Sequence, residues 1–155
     1  MNSALNIDLK MIIEIAEDYP TKMESIESLF RSFGDFNEHV IEHSLRNRAS
    51  IIGIYAYEND LLVGCKIGFS PRPGYFESWI GGVHKDYQCR GIATELALAL
   101  QKEVKEKGYR YLETTTSNDN LPMQLVNLKT GMRVVGTYLD RGNELKLRFQ
   151  LELKT

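Results

Sequence analysis

The chain has 155 residues, 43% of them apolar, and its 19 Lys and Arg stand against 21 Asp and Glu for a formal net charge of −2. That size suits one domain with a sizeable core, and the near balance of charge offers no basic footprint for nucleic acid. Two cysteines, Cys65 and Cys89, without a Cys-x-x-Cys pair, exclude a disulfide framework and a zinc knuckle and favour a reducing compartment.

The start, Met1 to Asp8, lacks the basic and long apolar regions of a signal peptide, and no apolar run approaches the ~18 residues of a membrane span. A cytoplasmic protein that does not enter the membrane is expected. Residues 1–50 hold nine acidic and five basic side chains, and residues 51–155 hold twelve and fourteen. An acidic front half opposite a mildly basic back half suits a cationic substrate facing an anionic ligand, although surface charge commonly does no more than solvate a face.

In chain order, Met11 to Ala16 is apolar enough for a first strand, and Asp18-Tyr19-Pro20 turns the chain. Met23, Ile26, Leu29, Phe30 and Phe33 recur at helical steps, which predicts a helix capped by Thr21 or Ser25 and ending near Gly34. A second helix is predicted from Phe36 to Asn47. Ile51 to Tyr57 and Leu61 to Phe69 read as a hairpin across Glu58-Asn59-Asp60, and Pro71-Arg72-Pro73-Gly74 then breaks the chain. Tyr75 to Val83 is predicted as a central strand in which Gly81-Gly82 marks a bulge that leaves the Val83 N–H free. Thr94 to Lys107 is strongly helical, with Ile92, Leu96, Ala99, Leu100 and Val104 inward and Gly108 as terminator. Tyr109 to Thr116 follows as a strand, Leu121 to Lys129 as a helix with Pro122 in its first turn, and Met132 to Tyr138 and Glu144 to Leu153 as two last strands. The fold class is α+β: a mixed, mostly antiparallel sheet of six or seven strands with about four helices. The last strand offers an edge for a homodimer.

Between the central strand and the long helix lies Gln88-Cys89-Arg90-Gly91-Ile92-Ala93. The first N–H groups of a helix have no intrahelical partner and stand at the positive end of its dipole, so a strand-to-helix turn of this kind binds anions, most often phosphate. Gly91 and Ala93 let a bulky, doubly charged group lie on the backbone, and Arg90 adds charge. Neither the three-glycine dinucleotide pattern nor the Gly-Lys-Ser/Thr triphosphate pattern is present.

Gln-x-x-Gly-x-Ala before a helix resembles the acyl-coenzyme A pyrophosphate loop of the GNAT N-acetyltransferase superfamily. Gly82-Val83-His84-Lys85-Asp86-Tyr87 before it, and Asn118, Asn120, Met123, Asn127, Gly131 and Met132 after it, extend the resemblance over residues 75–139. It implies a fold with splayed central strands and a coenzyme A site made of Gly82, Val83, Gln88, Cys89, Arg90, Gly91, Ile92, Ala93, Thr94, Asn118, Asn120, Met123 and Asn127. It also implies acetyl-CoA as cosubstrate and direct transfer to a primary amine of a small molecule or peptide, without a metal.

The chemistry needs a neutral amine, yet an alkyl amine with pKa ~10.4 is almost wholly protonated at neutral pH. The family often places an acidic residue where Glu77 stands, which makes Glu77 the candidate base and Glu113 the second choice. The Val83 N–H is the candidate donor to the developing oxyanion. Many members place a tyrosine acid where this chain has Asn127, and a branch with Asn-x-x-Met and a later Asn is the better match. An amide cannot give up a proton, so the thiolate requires water or another tyrosine, such as Tyr138. The missing tyrosine also supports a non-catalytic acyl-CoA sensing domain as the alternative. His39 and His43 are four apart but lack a third ligand, so no metal is expected.

Overall fold

The computed structural model of the protein describes residues 11–34 and 38–154. Its strands are β1 (Ile12–Glu17), β2 (Ile52–Glu58), β3 (Leu61–Arg72), β4 (Tyr75–Val83), β5 (Tyr111–Ser117), β6 (Arg133–Leu139) and β7 (Leu145–Glu152). The helices are α1 (Met23–Arg31), α2 (Glu38–Leu45), α3 (Ile92–Glu106) and α4 (Leu121–Lys129). All seven strands join one sheet in the order β1-β2-β3-β4-β5-β7-β6. Among the described residues only the β4–β5 pair is parallel, because α3 carries the chain back between them.

Each face of the sheet has its own core. Ile26, Leu29 and Phe30 of α1 and Ile41 and Leu45 of α2 pack on Tyr55, Cys65, Ile67 and Phe69. On the other face Ile92, Leu96, Leu100 and Val104 of α3 cover Ile54, Val63, Phe76, Leu112 and Phe149. We call these the α1 face and the α3 face. The helical stripe of α3 is buried as predicted, except that Ala97 rather than Ala99 is fully covered.

Several boundaries differ from the sequence reading. Asn59 and Asp60 both take positive φ, 49° and 65°, as a tight two-residue hairpin requires, but β3 then runs through Pro71 to Arg72. Pro71 is tolerated because it lies in the irregular stretch of pairing between Phe69 and Arg72 and beyond the last β2 partner at Gly68. No side chain caps α1, whose N-cap is Lys22. Phe36, the predicted start of α2, lies outside the described residues. The β4 bulge falls at Trp79: Ile67 pairs with Ile80 and Gly68 with Ser78, while Gly81 and Gly82 stay in register. The glycines serve close contacts instead. A Cβ on Gly82 would stand 2.3 Å from the Phe33 ring, and one on Gly81 would stand 2.9 Å from the Cys65 carbonyl. Strand β7 is interior, flanked by β5 and β6, so among the described residues the sheet edges belong to β1 and β6 and the proposed dimer edge is not available.

Candidate active site

Strands β4 and β5 pair only from Tyr75–Ser78 to Tyr111–Thr114. Beyond that point β4 stays with β3 as far as Val83, and β5 stays with β7 as far as Ser117. The strands part, and a gap opens at their C-terminal ends. The extra residue at Trp79 sits at the start of the divergence, where a bulge adds twist to one strand and not to its neighbour. The His84 N–H donates to the Val63 carbonyl at 2.7 Å, so by antiparallel alternation the backbone of Val83 faces away from β3 and toward the gap. Its carbonyl accepts a hydrogen bond from Gln88 Nε2 at 3.2 Å on that side.

A 3₁₀ turn at Lys85–Tyr87 leads from β4 into the loop before α3. His84 Nδ1 accepts from the Asp86 N–H, and the Lys85 N–H donates to Ser32 Oγ, which ties the turn to α1. Cys89 at φ 63° and Gly91 at φ 81° put left-handed residues on either side of Arg90, the kind of turn from which anion-binding nests are built. The first intrahelical bond is Glu95 N–H to the Gly91 carbonyl, which leaves the N–H groups of Ile92, Ala93 and Thr94 without intrahelical partners. No atom lies within 4 Å of where a Gly91 Cβ would stand, so the space over the loop is open. Arg90 is exposed, stacks on Tyr87 at 4.9 Å and donates to the Asp86 carbonyl.

The other bank of the gap is β5 with α4. Asn120 is the N-cap of α4 and accepts from the Met123 N–H at 3.2 Å. The Asn118 N–H bonds to Leu145 of β7, and its carbonyl takes Gln124 Nε2 at 2.7 Å. Asn127 is fully buried and donates through Nδ2 to Thr116 Oγ1 at 3.0 Å. Gly82, Val83 and Gln88 to Thr94 therefore form one bank, and Asn118, Asn120, Met123 and Asn127 the other.

Glu77 is not on either bank. It lies on the α1 face, where Arg148 of β7 grips both of its oxygens, Nη1 to Oε1 at 3.1 Å and Nη2 to Oε2 at 2.9 Å. Arg148 also holds Thr115 Oγ1 at 2.9 Å and lies 3.4 Å from Glu113, which in turn takes Arg72 and Gln150. The bonds to Glu77 raise the pKa of Arg148 above its usual value. Both Glu77 oxygens are thus engaged by one guanidinium, the bidentate pairing that holds a carboxylate in place. The geometry therefore weighs against Glu77 and Glu113 as base and makes them the acidic half of a clasp. Tyr138 pairs with Lys146 on the same α1 face, away from Asn127.

Sequence reasoning missed Arg148, Thr116, Phe33 and Lys66. Arg148 had one signal, the alternation of Lys146, Arg148 and Gln150 along β7, but its partner strand was not readable. Lys66 had another, a lone charge inside Val63-Gly64-Cys65-Lys66-Ile67-Gly68-Phe69.

Residues 9–130 match the family model described as the acetyltransferase (GNAT) family. No curated protein sequence matches the chain. Among solved structures, the ribosomal-protein-S18-alanine N-acetyltransferase of Escherichia coli superposes with a TM-score of 0.78 at 14% identity, covering 93% of this chain and 96% of that one. A Bacillus subtilis acetyltransferase in complex with CoA gives 0.72 at 20% identity, covering 94% and 100%. The IAA acetyltransferase of Bacillus cereus gives 0.73 at 19% identity, covering 92% and 100%. At these identities the superpositions speak for the fold.

Proposed function

The chain belongs to the GNAT acetyltransferase family, and from that premise we propose that it transfers an acetyl group from acetyl-CoA directly to a primary amine of a small molecule or peptide. The observation that supports this reading best is the gap itself, with the Val83 backbone facing into it beside the open N-terminus of α3. The donor set fits coenzyme A: three unpaired helix N–H groups, a left-handed turn at Cys89 and Gly91, and Arg90 suit a pyrophosphate, and a free strand edge suits an amide-bearing arm. When bound, acetyl-CoA supplies the acetyl group as an activated thioester.

The chain's residues then have separate tasks. Ile92, Ala93, Thr94, Cys89 and Gly91 hold the phosphates through their backbone, while Gln88 fixes the edge of β4 by its bond to Val83. The Val83 N–H is aimed at an oxygen that gains charge as the carbonyl is attacked. Asn118 and Asn120 set the start of α4, and Asn127 braces the opposite bank through Thr116. The clasp of Glu77 and Arg148 fixes the spacing of β4, β5 and β7 on the α1 face, where α1 and α2 would wall the acceptor.

Calorimetry with coenzyme A, followed by an acceptor-dependent free-thiol assay over an amine panel, tests the proposal. Micromolar binding and thiol release with an amine are expected, and Gly91→Val should weaken binding at least tenfold, because a β-branched residue is strained at φ 81°. No binding by the unmodified protein would overturn it. Binding without thiol release for any amine would favour the sensing domain, for which the amide at Asn127 is the supporting feature.

A further inference from the structure

The proposed reaction leaves the proton for the departing sulfur unassigned. Asn127 has none to give, and Tyr138 stands on the other face of the sheet. Strand β3, however, carries on the α3 face an ionisable side chain that no step above uses. Lys66 is half-buried, with Gly64 and Gly68 as its same-face neighbours, and it pairs with Ile54 of β2 and Gly81 of β4. A Cβ built on Gly81 would lie 3.5 Å from Lys66 Cγ, so the lysine stem rests against the bare face of that glycine. Gly81 is beyond Ser78, the last β4 residue paired with β5, and therefore borders the gap. Thr116 and Asn127 stand on the same face across it.

We propose that Lys66, reaching over Gly81 from the bank opposite Asn127, is the proton donor to the departing sulfur. The inference rests on the acetyl-CoA reading given above.

Groups that would fix the charge of Lys66 by other means are absent among the described residues. Its ammonium makes no hydrogen bond or ion pair there. Ile92 and Leu96 of α3 close over Gly64, and the acidic residues of α3 are engaged elsewhere or exposed: Glu103 meets Lys107, and Glu95 lies at the surface. The Cys65 thiol on the other face of β3 is pushed up to about 12 by burial, so it is neutral and no counterion. Burial lowers the Lys66 ammonium from 10.5 to about 8. An acid of that strength is matched to a thiol of pKa ~8.5, the condition under which proton transfer is most effective. Gly81 is needed bare, since a side chain there would stand between the ammonium and the gap.

The step balances within the site. The bond from the acceptor nitrogen to the carbonyl carbon forms as the carbon–sulfur bond breaks, and the sulfur's electron pair takes a proton from Lys66 Nζ. The neutral lysine regains a proton from the one that the acceptor nitrogen sheds.

Ultraviolet titration of the thiol in bound coenzyme A provides a readout apart from turnover. In the unmodified protein the bound thiol should ionise at least about one pH unit below free coenzyme A, the effect of a nearby cation. Lys66→Met should return it to the free value, and Lys66→Arg should keep it lowered. In rate profiles the unmodified enzyme should lose kcat as Lys66 deprotonates on the alkaline side. Lys66→Met should lack that limb and fall in kcat by about 10²–10⁴-fold, and Lys66→Arg should not recover, because a guanidinium does not release its proton. A thiol titration identical in the unmodified protein and Lys66→Met, or an alkaline limb retained in Lys66→Met, would overturn the assignment while leaving the transferase reading intact. Failure of the unmodified protein to bind coenzyme A would overturn both.

Discussion

At the scale of single residues, the site depends on which atoms of a side chain are already occupied. Glu77 has the chemistry of a base, yet Arg148 takes both of its oxygens. Glu77→Gln is expected to change kcat by less than about tenfold and to leave the acid limb of the pH profile in place, whereas loss of a true base costs about 10²–10⁴. The same variant should unfold more readily, by about 1–3 kcal/mol, because it leaves a partly buried guanidinium with one charged partner fewer. A fall of a hundredfold or more with loss of the acid limb would return Glu77 to catalysis. Asn127 is a second case of an engaged group: an N–H of its amide goes to Thr116, which ties α4 to β5 on one bank of the gap.

At the scale of elements, the glycines of β3 and β4 decide how close neighbours come. Gly82 lets the Phe33 ring, at the end of α1, lie on the strand next to Val83. In Gly82→Ala the added Cβ would stand 2.3 Å from Phe33 Cζ, and the ring, on a residue 39% exposed, is free to swing away. Acceptor KM is therefore expected to rise several-fold while coenzyme A affinity by calorimetry stays the same. Gly68→Ala is the contrast, since its Cβ would meet the Glu77 carbonyl at 2.2 Å and the backbone has no such escape. Destabilisation of about 1–3 kcal/mol or more is expected there, and equal thermal stability of the two variants would contradict this reading of the packing.

At the scale of the whole molecule, the sheet half-buries a lysine that the unfolded chain would hydrate in full. Burial lowers the Lys66 ammonium from its ordinary 10.5 to about 8 in the folded protein. Between those values the unfolded state binds more protons, so this group makes stability rise with pH; below about pH 8 its unfavourable contribution is present in full. Lys66→Met is thus expected to be more stable than the unmodified protein at pH 7 by about 1–3 kcal/mol. The advantage should shrink as pH rises from about 8 toward 10.5, which thermal unfolding at two pH values would reveal. An advantage independent of pH would mean that Lys66 is not buried in its charged form. No helix among the described residues is long and apolar enough to cross a membrane.

Local order carries what the sequence determined by itself. The Asn59-Asp60 hairpin, the Pro122 start of α4, the stripe Ile92, Leu96, Leu100 and Val104, and the Gly91 turn before α3 each follow from the preferences of residues a few positions apart, so they were legible, and with them the family. The bulge at Trp79, the interior place of β7, the clasp of Arg148 on Glu77 and the setting of Lys66 were decided only in the folded chain. Each depends on which strand lies beside which, over separations such as the 71 residues from Glu77 to Arg148, and side-chain periodicity fixes the face of a strand but not its neighbour.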